Sequence, residues 1–225
     1  MTEKKQTHEA MDVEEALGTS EAFLIKNQKT FLTAIITMVV IICGYLGYQH
    51  FISEPREEKA SAAIAKGEQY FVANEFEFAL NGDSLGYDGF IKLADEFSGT
   101  DAGNLANAYA GICYAQLGKY KEAIALLEDF SGDDYLIAPA VMGTIGNCYA
   151  QLNQLDKAAA TLLKAAQKAN SVALSPIYLI QAGEIYEKLG KNAEATKAYE
   201  TVKSDFANSY QAMDIDRYIQ RASVK

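Results

Sequence analysis

Histidine occurs only at positions 8 and 50 of the 225 residues, so none follows the first fifty. That scarcity removes Ser-His-Asp and Cys-His nucleophilic catalysis, and any histidine-based zinc site, from the long C-terminal part. Cysteine is also sparse: Cys43, Cys113 and Cys148 contain no C-x-x-C pair. Basic residues are in deficit, 20 against 30 acidic, for a net charge of −10. A nucleic-acid binder needs a basic face to displace phosphate counterions, and this chain has none. The deficit is not confined to a tail, because residues 1–30 hold four lysines and six acids, which leaves 16 basic and 24 acidic residues beyond them. The one Gly-Lys resembling a phosphate loop, Gly118-Lys119, is followed by Tyr120 where Ser or Thr is required.

What the chain does have is an uncharged run. From Thr30 to Ser53, 24 residues contain no Lys, Arg, Asp or Glu. As a helix this run spans about 36 Å at ~1.5 Å per residue, against a hydrocarbon core of about 30 Å. Tyr45, Tyr48 and His50 gather at its far end as an interfacial belt, and Lys26 and Lys29 stand just before it. A cleavable signal would have a short basic lead and a small-residue cleavage site. Here the lead is long and net acidic, the run ends in aromatics, and bulky Ile42 precedes Cys43 where a lipoprotein signal wants a small residue. The expectation is an uncleaved transmembrane helix over 30–53. Lys26 and Lys29 are balanced by Arg56 and Lys59, but the latter are mixed with Glu54, Glu57 and Glu58, which favours an N-terminus inside. Ahead of the run, Ser20 before Glu21 and Phe23-Leu24-Ile25 predicts a capped juxtamembrane helix within a tail over 1–29.

Beyond the span the chain repeats itself. Gly111/Tyr114/Ala123, Gly146/Tyr149/Ala158 and Gly183/Tyr186/Ala195 recur at separations of 35 and 37 residues. Leu127, Leu162 and Tyr199 follow each Ala by four residues, on the same helical face. The turns between are Leu-Gly-Lys, Leu-Asn-Gln and Leu-Gly-Lys, where Gly or Asn supplies a left-handed cap. This is the pattern of tetratricopeptide helical hairpins, in which Gly admits the second helix, Tyr fills the interface and Ala receives it. A degenerate first copy carries Gly67 and Tyr70, with its small residue displaced to Gly89 by a ten-residue insertion containing ALNGDSLGY. Residues 212–222 place Ile215, Tyr218, Ile219 and Ala222 at helical spacing, as a terminal cap.

The reading is therefore all-α: one N-terminal transmembrane helix, then a tetratricopeptide-type α-solenoid of about four hairpins (near 60–103, 104–138, 139–175 and 176–209 within a domain over 54–225) and a C-terminal capping helix over 210–225. Cys113 and Cys148 fall at matching repeat positions, on helices about 8–10 Å apart, too far for a disulfide with its Cα limit of about 7 Å, and are expected as buried thiols. Asp83, with Asp88 near it, lacks the spacing of a calcium loop and is expected as a solvated turn residue, as are Asp133 and Asp134. The functional surface expected is the groove lined by first helices: Leu105, Ala108, Ile112 and Gln116, then Asn147 and Gln151, then Ile177, Ile180 and Glu184. Gly143 and Glu187 map to the same face. Such a groove accepts an extended or helical protein segment, or its small residues serve only to let first helices pack together. The Lys and Asn clamp for carboxylate tails is represented by Asn147 alone.

The acidic tail, the SEAFLIKNQK lead-in, one span and then hairpin repeats together resemble the YfgM-like family over nearly the whole chain. The ALNGD loop and NLANAYAGICYAQLGKYKEAI look like its Bacteroidota branch. The resemblance implies a bacterial inner-membrane protein, N-terminus cytoplasmic and repeat domain periplasmic, ancillary to the Sec translocon. Implied partners are translocon subunits, a periplasmic chaperone or prolyl isomerase, and newly exported clients. No catalytic residue, cofactor, metal, nucleic acid or small-molecule substrate is expected. The competing reading is an envelope-assembly or structural scaffold acting in outer-membrane protein biogenesis or division.

Overall fold

The computed structural model describes the backbone of residues 3–224 and the side chains of residues 26–224. The expected Ser20 cap lies outside the described side chains. The chain divides into two units, Met1–Pro55 and Arg56–Lys225.

In the first unit a long helix, α1 (Glu3–Tyr48), passes into π-helical turns over Gln49–Ser53. These wider turns stop just short of Pro55, whose missing N–H cannot extend an i→i−4 ladder. Large apolar side chains stand out all round α1, with Leu32 59%, Met38 64% and Ile41 66% exposed. Thr33 and Thr37 donate their hydroxyls to the carbonyls of Lys29 and Thr33, each at 2.8 Å, so their polar atoms are satisfied within the helix. Among the described residues this is the one helix long and apolar enough to cross a membrane. Tyr45 and Tyr48 are exposed at its end, as are Lys26 and Lys29 ahead of the apolar run.

The second unit is a run of hairpins, with no strand among the described residues. Its first helices are α2 (Glu54–Val72), α5 (Asp101–Gln116), α7 (Ile137–Gln151) and α9 (Ser175–Lys188). Their partners are α3 (Phe76–Asn81) with α4 (Phe90–Glu96), then α6 (Tyr120–Asp129), α8 (Leu155–Ala169) and α10 (Asn192–Asp205). A 3₁₀ turn over Tyr210–Asp214 leads into the cap, α11 (Ile215–Ser223). Successive helices pack on one another, α7 on α8, α8 on α9 and α9 on α10, as a helical solenoid requires.

Within each of the four hairpins the same turn joins the first helix to the second. Asn74, Gly118, Asn153 and Gly190 all have positive φ, between 57 and 76°. After each, the next N–H (Glu75, Lys119, Gln154, Lys191) donates to the carbonyl of Tyr70, Tyr114, Tyr149 or Tyr186. This is the Schellman closure, which leaves a carbonyl of the last turn paired rather than stranded. Inside each hairpin the invariable Gly provides close approach. A Cβ on Gly111, Gly146 or Gly183 would lie 2.5, 2.8 or 2.3 Å from Leu127, Leu162 or Tyr199.

The first hairpin corrects two expectations. Its small residue is not displaced: Ala79 stands nine residues after Tyr70, as in the other copies, and is fully buried. The insertion interrupts the second helix after that point. Phe90 follows Ala79 by eleven residues where Leu127 follows Ala123 by four, so the break adds seven residues rather than ten. Phe90 and Tyr87 return to the site over Gly67 that a single residue fills elsewhere, within 2.6 and 2.1 Å of a Cβ placed there.

Asp83, inside the break, is likewise no solvated turn residue, its side chain being only 5% exposed. It accepts from the Tyr70 hydroxyl at 2.5 Å and from the N–H groups of Leu85 and Tyr87 at 2.7 and 2.9 Å, with Lys66 Nζ at 3.1 Å. A buried carboxylate needs such compensation, and here it organises the loop around itself. Tyr70, then the Tyr87 N–H, holds the Asp83 carboxyl well below the usual carboxylate range.

Candidate functional site

The first two hairpins and the start of the third enclose an open groove of about 560 Å³. It lies wholly in the second unit, between α2, α5 and the segment 130–137, which is the link from α6 to α7 together with the first residue of α7. Ile64, Leu105, Phe130 and Ile137 supply apolar lining, while Glu57, Glu68, Asp101, Asp133 and Asp134 supply the charge. No Lys or Arg lines it.

Each wall has a local cause. Glu57, on α2, caps the next first helix: both its oxygens accept N–H groups, those of Asp101 and Ala102, at 2.8 Å. An acid there meets the orphan donors and positive end of α5. Thr100 closes the same terminus, accepting the Gly103 N–H at 2.9 Å. Deeper in, Glu68 accepts from the Tyr109 hydroxyl at 2.8 Å, and burial followed by Glu68 pushes that phenol up to about 12. The segment 130–137 is pinned twice. Asn104 holds the Ser131 backbone through both its amide atoms, at 2.6 and 2.9 Å. Asp134 accepts from the N–H groups of Leu136, Ile137 and Ala138 at the start of α7. Those bonds hold its carboxyl below the usual range. Asp133 pairs with Lys168. Asp134, expected as a turn residue in water, is thus a helix cap as well. Beside the groove Tyr135 and Leu136 are 78% and 61% exposed, an apolar edge on a tethered loop.

Of the residues expected to line a first-helix groove, Leu105 alone lies in this one, half-buried. Gln116, Asn147, Gln151, Ile177 and Glu184 are exposed on their helices. Ile112 and Ile180 are half-buried, packed on the middle and C-terminal cores. Ala108 is a correction: it is 2% exposed, in the core that joins α5, α6 and α7, and offers no ligand surface. Gly143 is closed in the same way, since a Cβ there would meet the Tyr178 ring at 2.4 Å. At these two positions the small residues serve helix packing. Glu187, mapped to the same face, is instead buried under the cap, where it accepts from Tyr199 and Arg221.

Glu57, Asn104, Phe130 and Ile137 were invisible as site residues in the sequence, because they come from segments up to eighty residues apart with no shared motif. The remaining reactive groups are quiet. Burial pushes the Cys113 thiol up to about 12 and Cys148 up to about 11, leaving little thiolate at neutral pH. Among the described residues no group of three or more His, Cys, Asp or Glu side chains is arranged to hold a metal ion.

A search of curated proteins returns no match. The family model described as a Tetratricopeptide repeat-like domain matches residues 21–217, so the match takes in the apolar helix as well as the hairpins. Repeats of this kind present extended surfaces to other proteins, and their domains are typically non-catalytic scaffolds. With four Schellman-closed hairpins, a terminal cap and a family match over most of its length, the chain belongs to the tetratricopeptide repeat-like domain family.

Proposed function

We propose that this protein is a bacterial inner-membrane scaffold of the YfgM-like type, Bacteroidota branch, acting beside the Sec translocon. In this reading residues 30–53 cross the membrane, the tail over 1–29 is cytoplasmic, and the repeat domain over 54–225 is periplasmic. Its partners are translocon subunits, a periplasmic chaperone or prolyl isomerase, and newly exported chains. The observation that carries the reading is the pairing, on one chain, of a helix with fully exposed apolar faces and a repeat domain with an open groove. Such a helix is unstable in water and stable in lipid. Tethering the domain at the membrane raises its effective concentration near chains emerging there. The tail-to-repeat layout supplies the family resemblance.

Solubilisation in a mild detergent, followed by affinity isolation of the full chain, tests it. Sec subunits and a periplasmic chaperone or isomerase are expected to co-purify; their absence from repeated isolations refutes the translocon reading. Protease added to intact spheroplasts is expected to digest the repeat domain, and protection until lysis refutes the topology.

A further inference from the structure

The groove between α2, α5 and segment 130–137 differs from a generic repeat surface in its charge. Its apolar lining, Ile64, Leu105, Phe130 and Ile137, is bordered by five carboxylates and no cation. Lys168 meets one of the five, Asp133. Glu57 and Asp134 are engaged by helix N–H groups and Glu68 by Tyr109. Those hydrogen bonds come from uncharged donors and bring no positive charge to the groove. Asp101 is exposed at the rim.

We propose that this groove binds a protein segment in which apolar side chains alternate with Lys or Arg. The apolar residues would fill the cleft between Leu105 and Ile137, and the cations would meet Asp101, Glu68 and the other carboxylates around it. The volume falls within the ~300–1,000 Å³ usual for ligand clefts. Other occupants fit the chemistry less well. Phosphate-bearing ligands and acidic lipid headgroups are repelled by the rim. A divalent ion lacks a ligand cluster among the described residues. The chain's own tail carries six acids against four lysines over residues 1–30, so it brings like charge. A wholly apolar helix would cover carboxylates it cannot pair, at a desolvation cost. The proposal deepens the scaffold reading and rests on it for the claim that this domain binds protein segments.

The test uses the full chain in nanodiscs of zwitterionic phosphatidylcholine. Fluorescence anisotropy follows a labelled ten-residue peptide alternating Lys and Leu, with empty discs subtracted. A matched peptide with Glu for Lys, and another with Ser for Leu, are the controls. Saturable binding of the Lys/Leu peptide alone is expected, weakening severalfold as salt is raised from about 0.05 to 0.5 M. Asp101→Asn with Glu68→Gln, which keeps an acceptor for Tyr109, is expected to weaken binding about three- to tenfold. Ile137→Ser, at an exposed position, is expected to weaken it similarly and keeps the test decisive if the charge variant folds poorly. Equal binding of the Lys and Glu peptides, no effect of Ile137→Ser, or no signal above empty discs overturns the proposal. Loss of peptide binding with Sec subunits still co-purifying refutes the groove inference alone. Peptide binding without Sec co-purification refutes the translocon reading alone.

Discussion

Arg221 fastens the terminal helix α11 to the last hairpin, and its removal is a sharp test of how the solenoid is closed. Its guanidinium forks onto Glu187, with Nη2 at 2.6 Å and Nε at 3.0 and 3.1 Å from the carboxylate oxygens. The Tyr199 hydroxyl donates to the same carboxylate at 2.7 Å, and Arg221 also lies 4.9 Å from the centre of the Tyr218 ring. The Glu187 side chain is 7% exposed and that of Arg221 47%. Breaking a fully buried pair by removing one partner costs about 3–5 kcal/mol. Water reaches half of this arginine, and Tyr199 remains to serve the stranded carboxylate, so the cost of Arg221→Met is placed lower, at about 1.5–3 kcal/mol. For a domain of roughly 150–250 residues that corresponds to a Tm lower by about 3–12 °C. The assay is thermal unfolding of the full chain, with hydrogen exchange to localise the loss to α10 and α11. The double variant Arg221→Met with Glu187→Gln strands no charge and is expected to recover part of the loss. A Tm unchanged within about 1 °C, or a double variant less stable than the sum of its singles, refutes a buried carboxylate that depends on its arginine.

Three further outcomes follow from the packing. Gly111→Val would drive side-chain atoms into Leu127, which already lies 2.5 Å from a Cβ at that site, and is expected to cost about 1–3 kcal/mol or more in denaturant unfolding. Asp83→Asn addresses pH: because the folded carboxyl titrates below its unfolded value of about 3.9, its contribution is present above that pH and lost as pH falls through the acid range. Hydrogen-exchange protection over residues 82–89 is therefore expected to drop below about pH 4 in the wild type. In Asp83→Asn protection is expected to be low at every pH, so an unchanged acid profile contradicts the Asp83 account. Ile41→Arg places a charge amid the exposed apolar faces of α1 and is expected to disfavour insertion by about 2.5–3.5 kcal/mol, read as a smaller carbonate-resistant membrane fraction.

The repeats were legible because each hairpin satisfies its own local rules. Gly118 and Asn153 announce a left-handed cap, and Gly111 with Leu127 announces a close helix approach, from spacing alone. The first hairpin is less legible because its register breaks after Ala79. Gly89 resembles the small position in the sequence, while the structure keeps Ala79 there and lets Tyr87 and Phe90 re-enter the core later. Asp83 reads as a turn residue in one dimension; only in three does Tyr70 stand over it.

The expected binding face failed in part for a related reason. Ala108 and Gly143 look like openings in a groove, yet neighbouring first helices close over both. By itself, then, the sequence determined the class of structure. An uncharged run long enough for a bilayer must find an apolar medium, and a Gly/Tyr/Ala pattern recurring after 35 and 37 residues makes hairpins whose apolar faces must stack. Those are local demands, met within one helix or one pair. Only the tertiary structure decided where an open cleft remains, because that depends on how α2, α5 and the tethered 130–137 segment meet across distant positions. It also decided which carboxylates face that cleft and which are spent on caps, since an acid's role follows from the N–H groups and cations that folding brings to it.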